Sequence, residues 1–348
     1  MTTSICVAWW VRRLRAIRVN ANSRVVVVVR VMSEEAERML RRCASCGIAE
    51  SGDVKLMKCT GCYLVRYCGI ECQKKHRKEH KRECTKRAAE LRDELLFKQP
   101  ESSHRGDCPI CCLPHSLTEN PALSSCCSKR ICNGCLYANL KRESEGGLDR
   151  KCLFCRSELS LGEEFSHEAK KNLTKRLEAN DLVALYEVGA RRYGEGDYVG
   201  ALECFTKAVE FGNDAGSHYY LSLMYHNGHG VEKDEKKELY HLEEAAIGGD
   251  ASGRHNLGCF ENDRCRLDRA VKHWIIAANM GHDESLEVLK NAYRAGLVSK
   301  EDFAAALRAH QAAIDATKSP LREKAKMLIA MGMSKNLKNQ DRMAFSSL

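Results

Sequence analysis

Residues 58–72 read KCTGCYLVRYCGIEC and hold four cysteines in two closely spaced pairs. Further pairs precede and follow this stretch, so that sixteen of the twenty cysteines lie between Cys43 and Cys155, in two blocks. Structural zinc takes four thiolate or imidazole ligands in a tetrahedron, and a two-residue gap lets one tight turn present two sulfurs to the same ion. The spacing therefore predicts paired zinc sites.

The first block supplies eight candidate ligands, namely Cys43, Cys46, Cys59, Cys62, Cys68, Cys72, His80 and Cys84. Residues 73–87 are polar and lack glycine and proline, which predicts a helix that carries the last two ligands on one face. The YC-x3-CQ stretch at 67–73 and the HK-x2-C ending at 80–84 resemble a MYND zinc finger. The resemblance implies one ion held by Cys43, Cys46, Cys68 and Cys72, and a second held by Cys59, Cys62, His80 and Cys84.

The chain departs from the MYND pattern at one position. Arg77 stands where that family usually has a tryptophan. The resemblance therefore does not imply a groove for proline-rich peptides.

The second block supplies eight sulfurs, from Cys108, Cys111, Cys126, Cys127, Cys132, Cys135, Cys152 and Cys155. The order of the pairs and the C-x2-C-R ending resemble a RING finger, in which the first and third pairs share one ion and the second and fourth share the other. The block departs from that family because Cys126 and Cys127 have no spacer and Lys129 replaces a common histidine. Two arrangements remain, an all-cysteine site that uses both vicinal cysteines, or one that uses Cys112 and leaves Cys126 as a small buried residue. In either case sixteen ligands predict about four zinc ions per chain.

The amino-terminal leader carries a strong positive charge. Residues 1–31 hold six arginines and no acid, and arginines follow the short apolar run at 5–11, whereas a secretory peptide places its charges first. The leader is either an organelle presequence or an extension before a start at Met32. Without its arginines the net charge of +9 falls to +3, so a nucleic-acid partner is not expected.

The cysteines are predicted to be reduced and metal-bound. A disulfide scaffold would require an oxidising compartment. No stretch approaches the ~18 apolar residues of a spanning helix, so no membrane association is expected. The sequence predicts an intracellular protein of the cytoplasm or nucleus.

A repeat of roughly 33 to 36 residues follows the second block, and its clearest copy contains YYLSLMYHNGHGVEKDEKKELYHLEEAAIGG at 219–249. Partial copies run over 181–212, 251–281 and 283–316, each with two helical stretches joined by a turn. The Tyr-x2-Gly-x-Gly-Val and Ala-Ala-x2-Gly motifs resemble Sel-one-like repeats, relatives of tetratricopeptide repeats. One helix pair cannot bury its apolar face alone, so stacking into a solenoid is expected.

The predicted fold is mainly α, with a helical-repeat solenoid carboxy-terminal to two small zinc-stabilised fingers. The expected segments are a basic leader and connecting helix at 1–42, the MYND-type finger at 43–84, a helix and linker at 85–107, the RING-like finger at 108–156, the repeats at 165–330 and a tail at 331–348. This order resembles a family of multidomain adaptor proteins.

The sequence offers little catalytic chemistry. It contains no Gly-rich phosphate loop and no GxSxG elbow, and the Asn-His-Ser/Cys signature of SET-domain methyltransferases is absent. Nearly all cysteines of the finger region are assigned to zinc, so no catalytic residue is predicted.

Two functions are consistent with the sequence. One is a protein-interaction adaptor that binds proteins or peptides through its fingers and solenoid. The other is a RING-type ubiquitin ligase, which contributes no nucleophile, so whether the chain is an enzyme stays undecided. For a ligase, the resemblance implies contacts to a ubiquitin-conjugating enzyme from Ile110 in the first C-x2-C loop, from Leu153 in the last one and from Arg156, whose cation would steady the activated ubiquitin.

Overall fold

The computed structural model describes residues 41–149, 151–158 and 162–331. The basic leader and most of the connecting helix expected before residue 42 lie outside the described residues, as does nearly all of the tail over 331–348. Within the described part the chain forms twelve helices and two small sheets. They belong to two compact units, one ending at Asp93 and the other beginning at Glu94. The predicted mainly helical class is confirmed.

The first unit contains a short hairpin and the start of a long helix. Strands β1 (Met57–Lys58) and β2 (Arg66–Tyr67) pair antiparallel, and helix α1 (Ile70–Leu96) follows. The helix predicted over 73–87 and the helix expected from residue 85 onward are thus one continuous helix. The core of this unit is small and consists of candidate ligands together with Leu56 and Tyr67. So few apolar side chains leave much of the stabilisation to metal.

The second cysteine block is also built from a short antiparallel hairpin and a helix. Strands β3 (Ala122–Ser124) and β4 (Lys129–Ile131) form a hairpin, and helix α2 (Asn133–Gly146) follows at once. Cys132 is the N-cap of α2 because its sulfur accepts a hydrogen bond from the backbone N–H of Cys135. A ligand pair therefore also starts the helix.

Ten helices follow. They are α3 (Gly162–Glu178), α4 (Leu182–Glu195), α5 (Tyr198–Gly212), α6 (Ala215–Asn227), α7 (Glu235–Ile247), α8 (Ala251–Asp263), α9 (Leu267–Asn279), α10 (Asp283–Arg294), α11 (Lys300–Ala316) and α12 (Pro320–Ala330). Helices α4 to α11 form four pairs that coincide with the four sequence copies, and consecutive helices pack on one another. Asp181, Asp214 and Asp250 cap the first helix of three pairs, and His282 caps the fourth.

In the first copy, over 181–212, helical spacing predicts an apolar face that includes Ala201, Phe205 and Ala208, and the structure buries all three residues. Phe205 is fully buried in α5 and stacks on Tyr220 of α6, with ring centroids 4.7 Å apart. Gly189 of α4 leaves room for this ring, since an added Cβ would lie 2.8 Å from it. Packing between neighbouring helices of this kind makes the array one continuous structure.

Helices α3 and α12 flank the pairs. Helix α12 packs against α2 of the second cysteine block, at Gly134. An added Cβ at Gly134 would lie 2.7 Å from the backbone nitrogen of Arg322. The missing side chain therefore allows the two helices to touch.

Candidate metal centres

Within the described residues the structure gathers the sixteen candidate ligands into four tetrads. In each tetrad the ligand atoms all lie within 4.8 Å of one another. The first tetrad comprises Cys43, Cys46, Cys68 and Cys72, the second Cys59, Cys62, His80 and Cys84, the third Cys108, Cys111, Cys132 and Cys135, and the fourth Cys126, Cys127, Cys152 and Cys155. These are the same groupings that the two resemblances imply.

The spacing between ligand atoms tests whether zinc fits. Four sulfurs at about 2.3 Å from one ion in a tetrahedron would lie about 3.8 Å apart, whereas a disulfide needs about 2.0 Å. The observed sulfur–sulfur distances include 3.6 Å for Cys46–Cys68, 3.7 Å for Cys59–Cys84 and 3.8 Å for Cys111–Cys132. The donor sets therefore fit tetrahedral zinc and are not disulfides.

The second tetrad includes the one imidazole. His80 Nε2 lies 3.2 Å from the sulfur of Cys62. Burial, followed by the neighbouring His76, lowers the pKa of His80, which keeps the ring neutral and able to bind metal. Tyr67 is almost fully buried beside His76 and His80, and its hydroxyl lies 3.1 Å from Nδ1 of His76.

Four C-x2-C turns close in one common way. The residue after each pair has a left-handed backbone, and its N–H donates to the carbonyl oxygen of the first cysteine. These residues are Gly47 (φ 76°), Tyr63 (φ 56°), Cys112 (φ 55°) and Arg156 (φ 63°). The turn aims both sulfurs to one side, which is the requirement that the sequence spacing indicated.

This turn accounts for the extra cysteine of the second block. Cys112 is exposed and belongs to none of the tetrads, because its backbone closes the turn of Cys108 and Cys111. Cys126 and Cys127 lie together in the fourth tetrad, with sulfurs 3.3 Å from Cys155 and 3.7 Å from Cys152, respectively. The geometry favours the arrangement that uses both vicinal cysteines.

The fourth tetrad shows why its thiols need a cation. Hydrogen bonds from Ser157 lower the pKa of Cys155 to about 6, whereas burial, followed by the neighbouring thiols, raises the pKa of Cys126. One thiolate thus opposes the ionisation of the next at this distance. A divalent ion removes that conflict and releases the remaining protons, so the chemistry of the donor set fits zinc.

The third tetrad has a polar neighbour that the sequence analysis missed. Arg322 of α12 donates from Nη2 to the sulfur of Cys111 at 3.3 Å. Burial raises the pKa of Cys111, but hydrogen bonds from the backbone of Leu113 and from Arg322 outweigh it and lower the pKa to about 7. No local sequence signal marks Arg322, because it lies 211 residues from Cys111.

The three predicted partner contacts belong to the loops of the second block. Ile110 is 45% exposed, and Arg156 is also exposed at the left-handed position after the last pair. Leu153 is half-buried against the core that surrounds the third tetrad. The two exposed side chains are accessible to another protein.

Comparisons with known proteins agree with this description for part of the chain. The MYND finger family matches residues 43–84. No curated protein matches the chain.

The solved structures that match the chain include two proteins of low identity. One is a Sel1 repeat protein from Oxalobacter formigenes, 22% identical, with a TM-score of 0.38 over 61% of this chain and 81% of that chain. Another is a protective antigen of uropathogenic Escherichia coli strains that displays an SLR fold, 21% identical, with a TM-score of 0.34 over 47% of this chain and 36% of that chain. Among the helices of the described residues, none has the length and apolar character to cross a bilayer.

Proposed function

We propose that this chain is a zinc-binding adaptor for protein interactions, with the sixteen residues of the four tetrads as its zinc ligands. The observation that carries the proposal is that every tetrad provides four protein ligands. A catalytic zinc keeps one position for water or substrate, whereas a structural zinc is fully enclosed by the protein. Zinc would therefore have a structural role in this protein, stabilising its interaction surfaces, and no catalytic role.

The groove between α2 and α12 is the docking surface that we propose for a partner. It has a volume of about 480 Å³, and Tyr137, Ala138 and Leu321 provide its apolar side chains. Lys141, Arg142 and Lys324 line it with three positive charges, against one carboxylate from Glu145. A lining of apolar and positively charged side chains complements a peptide that combines apolar and acidic residues.

The groove can be tested with a random peptide library displayed on phage and selected against the zinc-loaded chain. The selected peptides should contain acidic and apolar residues, and the double variant Leu321→Asp/Lys324→Glu should bind them at least about tenfold more weakly. The matched control is Leu297→Asp, which alters a residue that is 52% exposed and does not line the groove. Selected peptides that bind the double variant as tightly as the wild type would count against this surface.

Nucleic acid is the other ligand that these three cations could attract. A nucleic-acid complex would weaken steeply as salt rises, because phosphate contacts release counterions. We expect no such complex. If an RNA or DNA oligonucleotide bound the wild-type chain in a salt-dependent way and did not bind the double variant, the groove would be a nucleic-acid site and not a peptide site.

A ubiquitin ligase is the second candidate function, and the exposure of Ile110 and Arg156 favours it. Zinc would fix the backbone of Arg156, and its guanidinium could hold several acceptors of a conjugating enzyme and ubiquitin at once. The benefit would come from positioning the thioester.

A ubiquitin-discharge assay separates the two functions. If the chain is a ligase, Arg156→Ala should slow lysine-stimulated discharge at least about tenfold without loss of zinc, and Ile110→Ala should weaken recruitment of the conjugating enzyme. If the wild-type chain stimulates no discharge across a broad panel of conjugating enzymes, the ligase assignment fails and the adaptor remains.

A further inference from the structure

Arg322 is a buried cation without a carboxylate partner among the described residues. Its side chain belongs to the first turn of α12, and the residue is 6% exposed. A buried charge is costly unless other groups compensate for it. The groups that contact Arg322 should therefore indicate the role of this charge.

The guanidinium of Arg322 donates hydrogen bonds to three backbone carbonyl oxygens and to one sulfur. Nη1 donates to the carbonyl oxygens of Pro114 at 2.6 Å and Thr317 at 2.8 Å. Nη2 donates to the carbonyl oxygen of Leu113 at 3.0 Å and to the sulfur of Cys111 at 3.3 Å. Carbonyl oxygens supply only dipoles, so among the described residues the full negative charge that contacts this guanidinium is the thiolate of the third tetrad.

The charge of the third tetrad explains why a cation is needed there. Its four ligands are all cysteines, and four thiolates around one divalent zinc leave a net negative charge. A hydrogen bond from a charged donor stabilises such a thiolate more than one from a neutral donor does. The same thiolate compensates the buried guanidinium, so each charge stabilises the other.

Helix α12 can reach the tetrad because α2 has a glycine at the contact. A Cβ on Gly134 would lie 2.7 Å from the backbone nitrogen of Arg322 and 2.9 Å from the carbonyl carbon of Leu321. The N-cap of α12, Ser319, accepts a hydrogen bond from the N–H of Arg322 and fixes the first turn that carries this side chain. The position of the guanidinium thus depends on the whole helix being docked.

We propose that Arg322 is the counter-ion of the third zinc–thiolate site and couples zinc binding at that site to the docking of α12 on α2. Coupling between two events is reciprocal. Docked α12 therefore slows the loss of zinc from the third tetrad, and zinc in the third tetrad holds α12 in place. The affinity of the third tetrad for zinc thus depends on a helix that lies about two hundred residues later in the chain. The groove between α2 and α12 in turn exists only while the third tetrad holds zinc.

The test uses the full zinc-loaded chain and two readouts that do not depend on any activity. One is the rate at which each zinc ion passes to a coloured chelator, and the other is amide hydrogen exchange in α12. Arg322→Met removes the charge and keeps most of the length of the side chain. It should release one of the four zinc ions at least about tenfold faster and raise exchange across residues 320–330.

Two further variants separate the charge from the docking. Gly134→Ala keeps Arg322 but displaces α12, and should accelerate release of the same ion. Arg322→Lys keeps the charge but loses the planar fork, and should give an intermediate rate. If Arg322→Met prevents folding, these two variants carry the test, because exchange in α4 and α5 reports whether the helical array is intact.

Arg130→Met is the matched control. Arg130 also joins the second block to a helix, through Glu187 of α4 at 2.9 Å, but none of its described contacts is with a ligand sulfur. It should leave the release of the third-tetrad zinc unchanged.

The outcomes distinguish this inference from the zinc assignment on which it rests. A wild-type chain that binds no zinc through Cys111, shown by an unchanged zinc count in Cys111→Ser, would overturn the assignment. Four zinc ions with wild-type release rates in Arg322→Met and Gly134→Ala would overturn the coupling alone. Unchanged exchange of α12 in Cys111→Ser would overturn its reciprocal half.

Discussion

The guanidinium of Arg254 in α8 donates a hydrogen bond to the backbone oxygen of Leu96, the last residue of α1. The same guanidinium donates to the carbonyl oxygen of Ala246 in the last turn of α7. Carbonyl groups at the end of a helix lack partners within it and carry the negative end of the helix dipole. One fully buried arginine therefore caps two helices that lie far apart in the sequence.

Arg254→Met should detach the end of α1 from the helical array. Loss of hydrogen bonds from a charged donor leaves two buried carbonyl groups unsatisfied and should lower the free energy of unfolding by roughly 3 kcal/mol. Urea unfolding measures the loss, and hydrogen exchange should rise at residues 94–99. The control is Arg308→Met, at an exposed position on α11. If the hydrogen-exchange rates of residues 94–99 in Arg254→Met equalled those of the wild type, the cap would not stabilise the end of α1.

Phe205→Ala tests the packing of the first two helix pairs. The ring is fully buried and stacks on Tyr220, so its removal should cost roughly 3–5 kcal/mol of stability. Phe211→Ala on the same helix is the control, because Phe211 is 58% exposed and should tolerate the change. Equal melting temperatures for the two variants would show that the register of the first copy is wrong.

Cys112→Gly tests which cysteines of the second block bind metal. Cys112 has a φ of 55°, which glycine adopts without strain, so the variant should keep its zinc and be at least as stable as the wild type. Cys126→Ser should lose one zinc ion. The zinc content of the two purified variants decides the matter, and a loss of zinc from Cys112→Gly would restore Cys112 as a ligand.

His273→Leu should stabilise the protein most in acid. His273 is fully buried, stacks on Phe97 and has no hydrogen-bond partner for either ring nitrogen among the described residues. Burial, followed by Arg254, Arg269 and Lys272, lowers its pKa to about 3. The unfolded chain, with a histidine pKa of about 6.5, binds the proton first, so the contribution of His273 to stability falls as the pH drops from about 6.5 towards 3.

The advantage of the leucine variant over the wild type should therefore grow by about 2 kcal/mol between pH 7.5 and pH 5. Parallel urea titrations at the two values measure this difference, and protonation of the zinc ligands affects both chains alike. A constant difference across this range would mean that His273 keeps an ordinary pKa in the fold.

The features of this structure that depend on residues close together in the sequence could be predicted. Zinc fixes the local spacing of its ligands, and the helix pairs begin at residues such as Asp214, whose side chain caps the next turn. The repeat motifs also place the turns, as at Gly228, which has a φ of 77°. For these features the residues that make the contact lie within a few positions of one another.

The contacts of Arg322 and Arg254 could not be predicted from the sequence. Each arginine binds a backbone or sulfur atom more than 150 residues away, and each is one of 56 basic residues. An arginine in a helix is usually solvated, so nothing in the pattern separates these two from their neighbours. The buried acceptors that they bind arise from the packing of α12 on α2 and from the packing of Leu96 against α7 and α8.

Native mass spectrometry of the folded chain, before and after chelation, shows most directly whether the four tetrads bind zinc. We expect four zinc ions per chain, because each tetrad would enclose one ion with four protein ligands. Cys43→Ser, Cys59→Ser, Cys111→Ser and Cys126→Ser should each lose one ion and leave the others. A wild-type chain that carries two or fewer zinc ions would contradict the assignment of the four tetrads as zinc sites.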